Sequence, residues 1–193
     1  MQRRNVREDI LDAGLKALLY QGFNGVGVQE ITASAGVPKG SFYNHFESKE
    51  ALGVEIVERY ADGVGATRRA ILHDKSVAPL ERLRCYFANT NTMFIEANFE
   101  RGCLLGNFSA ELSNQSAAIR EALRKVYGRW TADIAVAIAD AQADGTIASK
   151  TPAGELAAYL LDAYEGALLR SRVERSREAF DRFVEFAFTR ILV

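Results

Sequence analysis

Apolar residues recur along most of the chain at spacings of three and four, the period of a helix with one buried stripe. Val6, Ile10, Ala13, Gly14, Ala17 and Leu18 make the first stripe. Asn5 stands where an N-cap belongs, with Glu8 three residues on in the capping-box position. Gly22 marks the stop. A short helix over "VQEITASAG" follows, ended by Gly36, and "VPKGSFYNHF" reads as a third, with Pro38 in its first turn. Ser48 caps a fourth, striped by Leu52, Ile56, Tyr60 and Val64, while Gly63 and Gly65 predict fraying or bending at its far end.

Beyond "HDKSVAP" a longer helix is expected from about Leu80 to Phe99, then a short one to about Leu112. Ser116 caps a long helix carrying Ile119, Leu123, Val126, Tyr127, Trp130, Ile134 and Ile138, with Gly145 just past its end. Thr151-Pro152 reads as the N-cap and first residue of the next helix, and the last shows Phe180, Phe183, Val184, Ala187, Phe188 and Ile191. No strand pattern or internal repeat interrupts this order. The expected fold class is all-α, with about nine helices.

Composition narrows the class without naming a partner. Hydrophobic residues make up 48% and charged residues 25% of 193, ordinary values for a folded globular chain. Three prolines suit an all-helical protein. No apolar run approaches the roughly 20 residues of a membrane span, and "MQRRNVREDI" is followed by no hydrophobic leader. With only Cys85 and Cys103 there is no disulfide framework, so a cytoplasmic location is expected, and the lack of an apolar span leaves no membrane association expected. Net charge is −1, and the first 60 residues hold seven Lys and Arg against eight Asp and Glu. Any nucleic-acid face must come from where the charges sit, not from their sum.

That placement is informative. Two short helices joined by a glycine-containing turn form a helix-turn-helix outline, whose second helix enters the major groove. Phe42 and Phe46, four apart, share the inward face. Lys39, Ser41, Tyr43, Asn44 and His45 are left to face outward, with Gly40 allowing close backbone approach and Lys49 at the next helix start. Side chains of this kind replace the hydrogen bonds of bases and phosphates; outward aliphatic residues could not. The plainer alternative is a surface helix with ordinary polar decoration.

"QGFNGVGVQEITASAGVPKGSFYNHFESKEAL" resembles the DNA-binding segment of the TetR family of one-component bacterial regulators, a match covering roughly residues 5 to 60. The resemblance implies a DNA-binding domain over 1–50 and an effector-binding and dimerisation domain over 51–193. It also implies a homodimer on palindromic double-stranded operator DNA, most simply a repressor released by a ligand. Lys39, Gly40, Ser41, Tyr43, Asn44, His45 and Lys49 are then the expected DNA contacts. Where the family often carries Thr or Ser to cap the second helix, Val26-Gly27-Val28 has no hydroxyl, so that phosphate contact is assigned to no side chain. Arg3 and Arg4 offer a short basic arm.

In the C-terminal part, Phe87, Met93, Phe94, Phe108, Tyr127, Trp130 and Tyr159 are candidate walls for a small, largely apolar effector; the alternative for each is plain core packing. The last two helices are the dimer candidates, through Leu160, Tyr164, Leu168, Phe180, Phe183, Val184 and Phe188, because a helix apolar on two sides must be covered on two sides. Their alternative is closure of the subunit's own core. Cys103, in "ERGCLLGNFSAELS", stands at the start of a short helix beside Arg101, a setting that favours thiolate. The stretch resembles the N-ethylmaleimide-responsive repressors, which implies an electrophilic effector. The subgroup's basic residue after the cysteine is Asn107 here, and the other reading of Cys103 is a packing residue under a noncovalent ligand. Cys85 is expected to be inert core.

A cysteine-dependent enzyme finds little support. The two histidines, His45 and His73, have no sequence tie to Cys103, and no phosphate loop, metal-ligand cluster or paired-carboxylate motif is visible. No cofactor or metal is expected. A helical interaction module that keeps the outline without binding DNA is the remaining alternative.

Overall fold

Asn5 opens the first helix, its side chain accepting from the Glu8 backbone N–H at 3.4 Å. The Glu8 carboxylate turns instead to Arg59, so half of the expected capping box forms. From there the computed structural model describes residues 5–193; Arg3 and Arg4 lie outside the described residues. Among these, nine α-helices follow in order: α1 (Val6–Gln21), α2 (Val28–Ser34), α3 (Lys39–Tyr43), α4 (Lys49–Leu72), α5 (Pro79–Glu96), α6 (Leu104–Leu112), α7 (Ala117–Ala143), α8 (Ala153–Glu174) and α9 (Glu178–Phe186). A π-helical turn, Ala187–Ile191, follows α9. There is no strand among the described residues, and the class is all-α as the periodicity predicts.

Several ends differ from the sequence reading. Pro38 and Pro152 act as N-caps in extended backbone, each one residue ahead of its helix, because proline fixes φ without committing ψ. The glycines at 63 and 65 neither break nor fray α4, which runs unbroken for 24 residues. Its far end is pinned by Arg68, buried and paired with Asp133 of α7 at 2.8 Å. Cys85 is exposed rather than core: the inward stripe of α5 is Arg82, Leu83, Tyr86, Phe87 and Phe94, and residue 85 falls opposite it. Burial and the adjacent Glu81 carboxylate raise its thiol pKa.

The chain divides into two compact units. One combines the described residues up to Asp62 with Cys103–Val126. Its core is mainly aliphatic, with Phe42 and Phe46 behind α3 and Phe108 on α6: Ile10, Leu18, Ile31, Leu52 and Ile56 are buried with these rings. Gly14 belongs to this stripe because α1 passes close to its neighbours. A Cβ there would stand 3.0 Å from Ile56 Cδ1 and 3.2 Å from Leu52 Cδ2. Burying each large side chain contributes about 1.5–3 kcal/mol. Around the rim, Arg7 pairs with Glu55, and Arg59 with Glu8 and Asp12, half-exposed pairs that add little.

The other unit, Gly63–Gly102 with Tyr127–Val193, is built on aromatic rings. Phe87 lies 4.9 Å from Phe183 and 5.3 Å from Tyr164, and Tyr164 stacks on Phe180 at 5.9 Å. Two of the aromatic polar tips are matched: Tyr164 donates its hydroxyl to Asn91 Oδ1 at 2.9 Å, and the Trp130 indole N–H donates to the Tyr86 hydroxyl. Arg82, 2% exposed, donates to the Leu72 carbonyl and to Asp140, which also meets Lys75. No described helix is long and apolar enough to cross a membrane.

Candidate nucleic-acid interface

Helix α3 is a single turn and a half, too short to hold itself, so its conformation is set by what it packs on. Phe42 is fully buried and Phe46 nearly so, their rings 5.5 Å apart. Gly36, at φ +65°, makes the turn from α2 in a backbone region that favours glycine. With Phe42 and Phe46 turned inward, Lys39, Gly40, Tyr43, Asn44 and His45 are exposed and Ser41 is half-buried. Tyr43 is 58% exposed, its ring edge-on to Phe42 at 5.2 Å, which fixes the ring while leaving the hydroxyl outward. A Cβ at Gly40 would meet nothing within 4 Å, so the outer surface there is open backbone.

Lys49 sits differently from the other candidate contacts. Its ammonium donates to the Phe23 carbonyl at 2.5 Å and lies 4.2 Å over the Phe23 ring. Burial lowers its pKa, and the nearby Glu111 carboxylate opposes that shift. Ser48 caps α4 instead, its hydroxyl accepting from the Ala51 N–H at 3.0 Å. Helix α2 starts at Gly27 without a side-chain cap, as the missing hydroxyl predicts. Thr32 is buried and donates back to the Val28 and Gln29 carbonyls.

The candidate effector walls are not gathered in one place. Phe87 and Phe94 belong to the aromatic core with Tyr164, Phe180, Phe183 and Phe188. Tyr127, half-buried, stacks on Trp130 at 6.3 Å, and half-buried Met93 receives a hydrogen bond from Arg101 on its carbonyl. Tyr159 is 55% exposed. Phe108 and Cys103 lie in the unit that holds the helix-turn-helix, Phe108 edge-on to Phe23 at 5.6 Å. Cys103 occupies the N-cap position of α6 and is 3% exposed.

The dimer candidates mostly face inward. Leu160, Tyr164, Leu168, Phe180, Phe183 and Phe188 are buried within their own chain, and Val184 is half-buried beside Arg84 and Asn91. What α8 and α9 show outward is a second set: exposed Tyr159, Gly166 and Phe186, with half-buried Ala163 and Ala167. These line an open groove of about 410 Å³ that also takes in Arg170 and Arg182, with Leu160 and Phe183 of the buried set at its floor. The small residues of this set are visible in the sequence, but two apolar stripes on one helix do not say which turns inward. Glu111, which accepts from the Phe23 backbone N–H, carries no sequence signal at all.

Comparison with known proteins agrees with this geometry. The family profile described as "Bacterial regulatory proteins, tetR family" matches residues 10–56, and "Tetracyclin repressor-like, C-terminal domain" matches 79–187. The HTH-type transcriptional repressor DhaR of a Mycobacterium species is 40% identical over 192 residues, covering 100% of this chain and 95% of DhaR. The HTH-type transcriptional repressor NemR of Escherichia coli is 29% identical over 92% of this chain and 89% of its own. The crystal structure of regulatory protein TetR from Rhodobacter sphaeroides superposes with a TM-score of 0.88 at 32% identity, covering 95% of this chain and 97% of that one. Reduced NemR gives 0.87 at 28%, covering 98% of each. The chain belongs to the TetR family and is a DNA-binding transcriptional regulator of the helix-turn-helix type.

Proposed function

We propose that the chain is a cytoplasmic repressor that binds a palindromic operator as a homodimer and leaves it when an effector occupies the C-terminal part. Residues 1–50 carry the DNA contacts and 51–193 the effector and dimer functions. The observation that carries this reading is the outward face of α3: Lys39, Gly40, Tyr43, Asn44 and His45 exposed over a buried Phe42–Phe46 anchor. Lys39, Tyr43 and His45 suit phosphate or groove-edge contacts, and Asn44 suits a paired hydrogen bond to adenine. Lys49 contributes after exchanging the Phe23 carbonyl for a phosphate. Pairing through Tyr159, Gly166 and Phe186 gives two recognition helices, which on a palindrome must stand roughly 34–36 Å apart.

Release requires that the effector bind the DNA-incompetent form more tightly. The burial of Cys103 supports a small apolar effector held reversibly, with the thiol as packing. Its N-cap position, in a segment that resembles the N-ethylmaleimide-responsive repressors, supports an electrophile that alkylates it. An operator titration over a range of salt tests the DNA face. Lys39→Ala should weaken binding and reduce the salt slope by about 1, and Tyr43→Ala should weaken it with the slope unchanged if the ring reads the groove edge. Parent-like binding by both variants would remove α3 as the docking surface.

A further inference from the structure

Helix α6 lies within the residues matched by the C-terminal family profile, yet it packs in the same compact unit as the helix-turn-helix. Near its end stands Glu111, where a carboxylate works against the helix dipole. Its local cost is offset by long-range partners. Oε1 accepts from the Phe23 backbone N–H at 3.2 Å, and Oε2 from the Asn24 N–H at 2.8 Å. Both oxygens therefore hold the turn between α1 and α2, in hydrogen bonds strengthened by the charge. The turn is shaped for this approach. Gly22 has φ +76°, and a Cβ there would stand 2.4 Å from Glu111 Oε1.

The Phe23 carbonyl, on the same turn, accepts from Lys49, and the Phe23 ring is flanked by the Lys49 ammonium and the edge of Phe108. Gln21, at the end of α1, donates to Glu30 of α2 at 2.9 Å. One carboxylate on α6 is thus bound to the segment that sets where α2 starts and where Lys49 rests. We propose that Glu111 is a positioning residue for operator binding. It touches no DNA; it fixes the α1–α2 turn, and through it the placement of α2 and α3, from a helix that begins at Cys103. A displacement of α6 then reaches the recognition helix by loosening this turn.

The inference rests on operator binding by the helix-turn-helix, so the test uses a duplex that the unaltered protein selects from a random pool. Failure to select any duplex would count against the DNA-binding reading, not against Glu111. Glu111→Gln removes the charge and one of the two acceptor oxygens. It should lower affinity about tenfold and speed amide exchange at Phe23 and Asn24, leaving the salt slope unchanged because no phosphate contact is lost. Glu111→Asp, which keeps the charge but falls short by one methylene, should fall between, and carries the test by the same criteria if the glutamine variant does not fold. The double variant Glu111→Gln, Lys49→Gln should lose less than the two single losses combined. Binding within twofold of the parent despite faster exchange would overturn the proposal, as would a reduced slope, which would make Glu111's surroundings a phosphate contact.

Discussion

The α2–α3 segment and the α8–α9 pair both bury one face and present another, but with very different lengths of chain. Helix α3 has five residues and one buried side chain of its own, Phe42, backed by Phe46 just beyond its end. Once those rings are placed, Lys39, Gly40 and Tyr43 are outward by elimination, and Ser41 is left half-buried. Helix α8 has 22 residues with apolar side chains on opposite sides. Leu160, Tyr164 and Leu168 turn inward, and Tyr159 and Gly166 outward. A short element with one anchor has one solution for its orientation. A long element with two apolar stripes has two, and only tertiary packing chooses between them.

The sharpest way to break that contrast is to remove the single anchor. Phe42→Ala deletes a fully buried ring, the one buried side chain that α3 itself contributes. A loss of about 3–5 kcal/mol is expected, seen as collapsed amide protection across α1–α4 and loss of operator retention. Protection in α8 and α9, which rest on many rings, should persist. Operator binding within tenfold of the parent would show that α3 does not depend on Phe42.

Next in size is the outward stripe of α8 and α9. Tyr159→Glu with Phe186→Glu places charges on the open groove while leaving every buried side chain in place. Dissociation of the proposed homodimer should rise at least about 100-fold, or about 2.7 kcal/mol, with helix content and melting behaviour little changed. Sedimentation equilibrium reads the first and circular dichroism the second. An unaltered dimer would move the interface elsewhere, and unfolding would mean that these residues belong to the core after all.

Legibility of the fold in the sequence follows the same division. Helix order, the Ser48 and Ser116 caps and the inward pair Phe42 and Phe46 are local signals, read from spacing and short side chains, and all appear in the structure. The continuity of α4 through Gly63 and Gly65 is not local. It depends on burial of Leu72 and on Arg68 reaching Asp133, 65 residues away. The scatter of the aromatic candidates has the same cause. Phe87 and Phe108 each sit on an apolar stripe, but they fall in different units, and nothing near either residue encodes that. Glu111 is the extreme case, a charged residue in a short helix whose partners lie 87 and 88 residues earlier.

The smallest expected effect is acid dependence in the aromatic unit. Asp140 accepts from Lys75 and from buried Arg82, and these hydrogen bonds hold its pKa below the ordinary aspartate value, against the opposing effect of burial. A carboxylate whose folded pKa is depressed binds fewer protons when folded than when unfolded over the interval between the two values. Its contribution is therefore fully present above the unfolded value of about 4 and is lost as pH falls through the folded one. Because Lys75 and part of Asp140 are open to solvent, less than about 1 kcal/mol is expected. Urea unfolding of the parent and of Asp140→Asn, followed by Trp130 fluorescence, should show profiles that converge as the pH drops below about 4. Parallel profiles down to the acid limit would mean that Asp140 keeps its proton affinity on folding, and that Arg82 is held in the core by the Leu72 carbonyl and packing alone.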